Sequence, residues 1–193
     1  MNASSNYINR DHISLDHITK VRAEAECLTT VKQAEDALDE MASNISAKHE
    51  NNNPLIICVM NGGLIVSGGL LSRFDFPLEQ DYLHVSRYRD DTVGGELKWI
   101  VKPQHSLAGR HVLIVDDILD EGFTLAAIVE FCNLSGAKST ETTVLVEKDH
   151  NRKQGIKADY VGLKMVDRYL FGYGMDYKGY LRNAPGIFAV KEM

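Results

Sequence analysis

One stretch constrains this chain more than any other: His111 to Thr124, HVLIVDDILDEGFT. Val112 to Val115 is an unbroken β-branched and aliphatic run, the pattern of a strand buried on both faces. Asp116 and Asp117 follow, at the point where such a strand leaves its sheet. An acidic, glycine-bearing turn comes next (Asp120, Glu121, Gly122), closed by Thr124. From Leu125 to Cys132 the spacing is helical, with Leu125, Ile128, Val129 and Cys132 on one face. Strand, acidic turn and helix in this order form the layout of a ligand site at the carboxyl edge of a parallel sheet.

Two carboxylates after a buried strand are costly unless they meet a cation or hydroxyls. Asp116 and Asp117 therefore suit Mg²⁺, a sugar diol, or both. The segment from Asp120 to Thr124 enters a helix, whose opening N–H groups and dipole favour a phosphate. Thr124 adds a hydroxyl donor. The side chains of Asp120 and Glu121 would repel that phosphate if they faced it, so they are expected to turn away. Carboxylates for a sugar beside amides for a phosphate describe a sugar-phosphate site. Taken alone, the Asp-Asp pair also fits a strand with a solvated turn, since receiver domains and nucleotide hydrolases show similar patterns.

The rest of the chain sets the context. Its 193 residues suit one domain with a sizeable core. Three cysteines (Cys27, Cys58, Cys132) share no metal-like spacing. Cys58 and Cys132 sit inside apolar runs and read as buried free thiols, which favours a reducing, cytosolic compartment. The first residues carry neither a basic nor an apolar signal region, and no run approaches the roughly 18 apolar residues of a membrane span. A formal charge of −6 gives no support to a nucleic-acid partner.

Residues 1 to 29 are polar and weakly patterned, fit to drape over a core or join a lid. Val31, Ala34, Leu38, Met41, Ala42 and Ile45 make a helical stripe from Thr30 to about His49, with Thr29 or Thr30 as cap. Pro54 to Met60 is a second buried strand, ending in Asn61-Gly62-Gly63 before a helix over Leu64 to Phe74. Adjacent glycines there admit an anion to the backbone, or simply a tight turn. Asp81–Tyr88 and Leu97–Val101 read as a hairpin around the polar loop RDDTVGGE. Lys138 to Val146 leads into a further strand, TTVLV, ending at Glu147-Lys148, and others are expected from Tyr160 to Met165 and Ile187 to Val190. Alternating strands and helices imply an α/β fold with a mostly parallel sheet. Strands ending at Met60, Val115 and Val146 would bring Asn61, Asp116 and Lys148 to one edge.

VLIVDDILDEGFTL resembles the signature of type I phosphoribosyltransferases, which use 5-phosphoribosyl-1-pyrophosphate (PRPP). ICVMNGG, the loop after Ser86-Arg87-Tyr88, the lysine in VLVEK and the closing YLFGYGMDYKGYLRN are similar to the hypoxanthine-guanine branch of that family. The resemblance implies a type I phosphoribosyltransferase-like domain over residues 1–193. A central mostly parallel sheet would be flanked by helices. A hood would come from the N-terminal segment and about residues 166–186, with a mobile loop at about 87–98. It implies purine salvage in the cytoplasm: transfer of phosphoribose to N9 of hypoxanthine or guanine, with Mg²⁺, giving IMP or GMP and pyrophosphate. A homodimer or homotetramer and no membrane or nucleic-acid partner go with it.

Carried over residue by residue, Asp116 and Asp117 would hold the ribose hydroxyls and influence the metal. Asp120 would be the catalytic acid/base at purine N7. Glu121, Gly122, Phe123 and Thr124 would wrap the 5′-phosphate. Lys148 would donate to the 6-oxo group, Tyr169 would stack on the base, and the Leu170 backbone would read its edge. Asp176 would ligate Mg²⁺. Arg182 and the Asn61-Gly62 turn would bind pyrophosphate, with Tyr88 on the closing loop. An ammonium offers only donors, so Lys148 suits a 6-oxo group and not the amino group of adenine.

Asn61 stands where several family members carry lysine, and Glu121 and Phe123 replace the threonine and lysine often seen in the phosphate loop. These departures bear on affinity more than on reaction type. Rival readings are a receiver-type domain, a nucleic-acid-binding regulator on the same fold, and a xanthine-preferring enzyme. The receiver pattern puts its acidic strand near the start, whereas 110 residues precede this one. The regulator would carry a basic face.

Overall fold

A computed structural model describes residues 13–87, 97–153 and 155–191, the side chain of Arg87 excepted. In chain order the elements are α1 (Leu15–Glu24), β1 (Glu26–Thr29), α2 (Val31–His49), β2 (Leu55–Met60), α3 (Leu64–Leu71), β3 (Glu79–Arg87) and β4 (Leu97–Val101). Then follow β5 (His111–Leu119), α4 (Phe123–Leu134), β6 (Ser139–Asp149), β7 (Tyr160–Val166), β8 (Leu170–Phe171) and β9 (Ile187–Ala189).

Six strands form the main sheet in the order β4-β3-β2-β5-β6-β7, parallel except for the β3–β4 pair. The order reverses between β2 and β5, so their carboxyl ends flank a topological switch point. Alternation along the strands sorts side chains to two faces. Ile56, Leu113 and Val115 meet α2 residues such as Leu38 and Ile45; Leu55, Ile57, Val112 and Ile114 meet Leu125, Ile128 and Cys132 of α4. The free thiols of Cys58 and Cys132 are buried.

α2 starts at a capping box: the Gln33 N–H donates to Thr30 Oγ1, and the Thr30 N–H donates to Gln33 Oε1. Its expected stripe is buried except at Val31, the first helical residue, which is 43% exposed. α3 ends at Leu71 rather than Phe74. Ser72 closes back on Gly68, and Arg73 leaves the helix to pair with Glu35 and Asp39 of α2 at 2.6 Å.

Two expectations change more substantially. β5 does not stop at Val115 but carries Asp116 and Asp117 within the strand. β2 stops pairing with it at Cys58↔Val115, while β6 continues through Leu119↔Glu147. The ladder on that one side keeps the acids extended. Likewise Lys148 lies within β6, paired in register with Met165.

The weakly patterned N-terminal region contains α1, capped by the Ser14 side chain, and β1. A second sheet, β1-β9-β8, joins this region to the tail. Ile18 packs there with Phe171, Tyr177, Ala184 and Phe188. Most of the loop expected at about 87–98, including Tyr88, lies outside the described residues.

Far from the sheet's carboxyl edge, buried Glu141 accepts hydrogen bonds from Lys48 Nζ (2.9 Å) and the Tyr160 hydroxyl (3.0 Å), with His49 Nε2 at 3.2 Å. Burial opposes its ionisation, but these partners outweigh burial and hold the carboxyl below its ordinary value. A depressed acid stabilises the fold above its unfolded pKa, about 4.3, and loses that contribution as pH falls through the folded value. Glu141→Gln should therefore destabilise the protein at pH 7 by about 1–3 kcal/mol. In urea melts the gap should close as pH falls below about 4.3; a pH-independent gap would contradict this.

Candidate active site

The carboxyl ends of β2, β5 and β6, together with the tail, surround a cavity of about 470 Å³. Asn61, Gly62, Asp116, Asp117, Asp120, Thr124, Lys148, Tyr169, Leu170, Asp176 and Arg182 all line it. An adjoining recess of about 280 Å³ adds Glu121 and Gly122. Among the expected site residues, the Phe123 side chain lines neither space; it is 42% exposed at the first position of α4.

The acidic pair defines one wall. The Asp117 N–H donates to Asp116 Oδ1 at 2.9 Å. Burial pushes the Asp116 carboxyl well above the usual range, and the neighbouring Asp117 charge adds to the push. Burial also raises Asp117, partly offset by its hydrogen bond with Asp116 and by the Arg182 guanidinium. That guanidinium is 3.9 Å from Asp117 Oδ2 but only 2.5 Å from Asp176 Oδ1. It also donates to the Gly174 carbonyl, while the Gly179 N–H donates to Asp176 Oδ2. Asp116, Asp117 and Asp176 thus supply hard oxygen donors and more negative charge than one arginine balances. That set fits a divalent cation with sugar hydroxyls.

Gly62 sits against this wall for a spatial reason. A Cβ there would lie 2.4 Å from Asp117 Oδ2. The peptide between Met60 and Asn61 is cis. The Gly63 N–H closes the turn onto the Val59 carbonyl at 2.8 Å.

The start of α4 lines the adjoining recess together with the acidic pair. Gly122 occupies its cap in the left-handed region (φ 89°) and offers no capping side chain. The opening N–H groups of any helix lack partners within it and carry the positive end of the dipole. Glu121, Gly122, Thr124 and Leu125 line the recess at this end of α4.

Asp120 lines both the cavity and the recess. Its Oδ2 accepts from Lys148 Nζ and its Oδ1 is bonded to His150 Nε2, both at 2.7 Å. Burial would raise this carboxyl; the Lys148 and His150 hydrogen bonds prevail and lower it. Asp120 is therefore turned toward β6 and its extension. His150 escaped the sequence reading. Period 2 along a strand puts residues 148 and 150 on one face, which was the available signal.

Asp120, His150 and Asp167 present ligand-type atoms within 4.8 Å of one another. Lys148 and Arg152 already pair with those acids, Arg152 at 2.6 Å from Asp167 and Lys148 at 3.6 Å. A cation is better accommodated at the Asp116 end.

Tyr169 is half exposed, its ring edge-on to Tyr177 with centroids 5.4 Å apart. The Val190 N–H donates to the Tyr169 carbonyl, and Leu170 faces Ala189 in an antiparallel ladder. Alternation in such a ladder turns the N–H and C=O of Leu170 away from β9, along the edge of the small sheet.

A family model described as a phosphoribosyl transferase domain matches residues 24–178. The chain belongs to the phosphoribosyltransferase family. Hypoxanthine-guanine phosphoribosyltransferase of Bacillus subtilis is 36% identical over 165 residues, covering 85% of this chain and 92% of that protein. Hypoxanthine-guanine-xanthine phosphoribosyltransferase of Tritrichomonas foetus is 34% identical, covering 79% and 84%. The structure of hypoxanthine phosphoribosyltransferase from Trypanosoma cruzi with the product IMP superposes with a TM-score of 0.80 at 28% identity, covering 87% and 94%. The mostly parallel sheet flanked by helices is this family's fold.

In this phosphoribosyltransferase the loop joining β5 to α4 depends on Gly122. A Cβ there would meet Ile156 Cγ2 at 2.3 Å, whereas one at Gly109 (φ 73°) would meet nothing within 4 Å. Both alanine variants should lose about 1–2 kcal/mol to the left-handed backbone. Gly122→Ala should lose more, because Ile156 must also shift; equal losses in urea unfolding would contradict the packing argument.

Proposed function

We propose that this chain is a purine-salvage enzyme that transfers phosphoribose from PRPP to N9 of hypoxanthine or guanine, releasing pyrophosphate with IMP or GMP. The observation that carries this reading is a cavity lined by the buried acids together with Thr124, Lys148, Tyr169 and Leu170, with the glycine-capped start of α4 lining a recess beside it. The names of the Bacillus subtilis and Trypanosoma cruzi proteins support it. The whole chain acts as one phosphoribosyltransferase domain, with the β1-β9-β8 sheet as its hood. Buried free thiols suit a cytoplasmic location. Among the described residues no helix is long and apolar enough to cross a membrane.

Asp116 and Asp117 hold the ribose hydroxyls, and the N–H groups from Glu121 to Thr124 with the Thr124 hydroxyl hold the 5′-phosphate. Tyr169 stacks on the purine, and the outward N–H and C=O of Leu170 read its edge. Lys148 has three N–H donors, enough for Asp120, Asp167 and the 6-oxo group together. Asp176, with Asp116 and Asp117, would hold Mg²⁺, which when bound offsets the charge of the pyrophosphate. Arg182 and the Asn61-Gly62 turn bind that pyrophosphate and stabilise the charge it gains. The purine N9 lone pair forms the bond to C1′ while the C1′–O electron pair departs with pyrophosphate. Asp120 accepts the N7 proton.

The test is nucleotide formation with each purine, PRPP and Mg²⁺. Hypoxanthine and guanine should react, with adenine at least about tenfold poorer in kcat/KM, the cost of one mismatched buried polar group. Asp120→Ala should lower kcat about 10²–10⁴-fold. Adenine as good as hypoxanthine would contradict the role of Lys148. Xanthine belongs in the same assay, given the name of the Tritrichomonas relative.

A further inference from the structure

Asp120 is a short side chain on a turn, and a base on a loop is useful only if something fixes its direction. Lys148 holds Oδ2 at 2.7 Å, but an ammonium on a four-carbon stem is a compliant partner that the purine also engages. The second oxygen is held differently. His150 Nε2 lies 2.7 Å from Oδ1, and the imidazole is only 5% exposed. Its other nitrogen is also engaged: the Arg152 backbone N–H donates to Nδ1 at 3.1 Å. A neutral imidazole has one donor nitrogen and one acceptor. With Nδ1 accepting, Nε2 must carry the hydrogen and donate to Asp120. No protonated imidazolium is needed.

We propose that His150 is a positioning residue for the base: locked as the Nε2–H tautomer by the Arg152 backbone, it aims the Asp120 carboxylate at purine N7. This rests on the phosphoribosyl-transfer reading above. Each Asp120 oxygen then accepts one donor from the protein and keeps a lone pair for the incoming proton.

The charged groups around the pair come from several elements. Lys148 belongs to β6. Arg152, in the loop after it, lies 3.9 Å from Asp120, with Glu121 of the β5–α4 turn 3.8 Å from Arg152. Asp167, just beyond β7, is 3.6 Å from Lys148. Within this mixed field the hydrogen bonds from Lys148 and His150 keep Asp120 ionised despite burial, the state a base requires. Removing the imidazole donor therefore makes Asp120 harder to ionise.

Kinetics of His150→Ala and His150→Gln test this, with ¹⁵N NMR of histidine-labelled wild-type protein. A glutamine amide N–H reaches about where Nε2 stands. His150→Ala should lower kcat about tenfold to a hundredfold, the range of one hydrogen bond to a charged group, with KM for PRPP unchanged. The acid limb of its kcat/KM profile should move to higher pH, and His150→Gln should recover both kcat and limb. The wild-type spectrum should show a histidine with protonated Nε2 and bare Nδ1, absent from the variants. Full activity in His150→Ala, a loss confined to KM, an unmoved limb, or a protonated Nδ1 would overturn the proposal. Should His150→Ala fail to fold, a wild-type profile in His150→Gln supports it and a displaced one overturns it. Wild-type protein that makes no nucleotide would sink the functional reading, while the tautomer still decides the hydrogen bond.

Discussion

Two adjacent carboxylates inside a buried strand are the feature around which this fold is arranged. Asp116 and Asp117 cannot both be ionised there without help, because each is removed from water and repels the other. They are tolerable only because β5 has β6 alone as a neighbour at that level, leaving the other side to the cavity. The reversal of strand order supplies that opening, since β2 and β3 run off one way and β6 and β7 the other. Gly62 follows from the same constraint: any side chain at that position would displace the Asp117 carboxylate.

The closing elements come from the far ends of the chain. β1 pairs with β9, and Arg168 donates to the Val190 carbonyl. The Tyr173 hydroxyl donates to Glu35 of α2 at 2.6 Å, and Arg73 of the α3 C-terminus holds the same carboxylate's second oxygen. Gly174, next along, comes so close to the Gly62 carbonyl that a Cβ there would lie 2.1 Å from it. The tail bearing Tyr169, Asp176 and Arg182 is thus fixed to α2 and to the turn after β2. This gives charged side chains that would be mobile on a free loop a defined direction toward the acids.

How far the molecule is legible in its sequence depends on the range of the signal. VLIV, LIICV and the stripe of α2 behind a threonine cap act over a few residues, so β5, β2 and α2 are where local pattern puts them. The length of β5 is not local: aspartates are poor strand formers, and only the β6 ladder keeps them extended. The small sheet is harder still. Ile187 to Val190 reads as a strand and forms β9, but β1 and β8, of four and two residues, are too short for a period, and the pairing of Glu26 with Ala189 has no local signal. Asp116, Lys148 and Arg182, singled out by family resemblance and chemistry together, line one cavity. For His150 the local signal is only its two-residue step from Lys148; its meaning comes from the fold bringing it to Asp120, 30 residues earlier in the chain.

On the proposed function, the acidic strand and the glycine-capped helix divide the labour, each holding one part of the same sugar phosphate. A crystal structure with IMP tests it most directly. The phosphoryl group should lie at the backbone N–H groups from Gly122 to Thr124 and the ribose hydroxyls against Asp116 and Asp117. A phosphoryl group bound instead at the Asn61-Gly62 turn, or a ribose turned away from both acids, would contradict it.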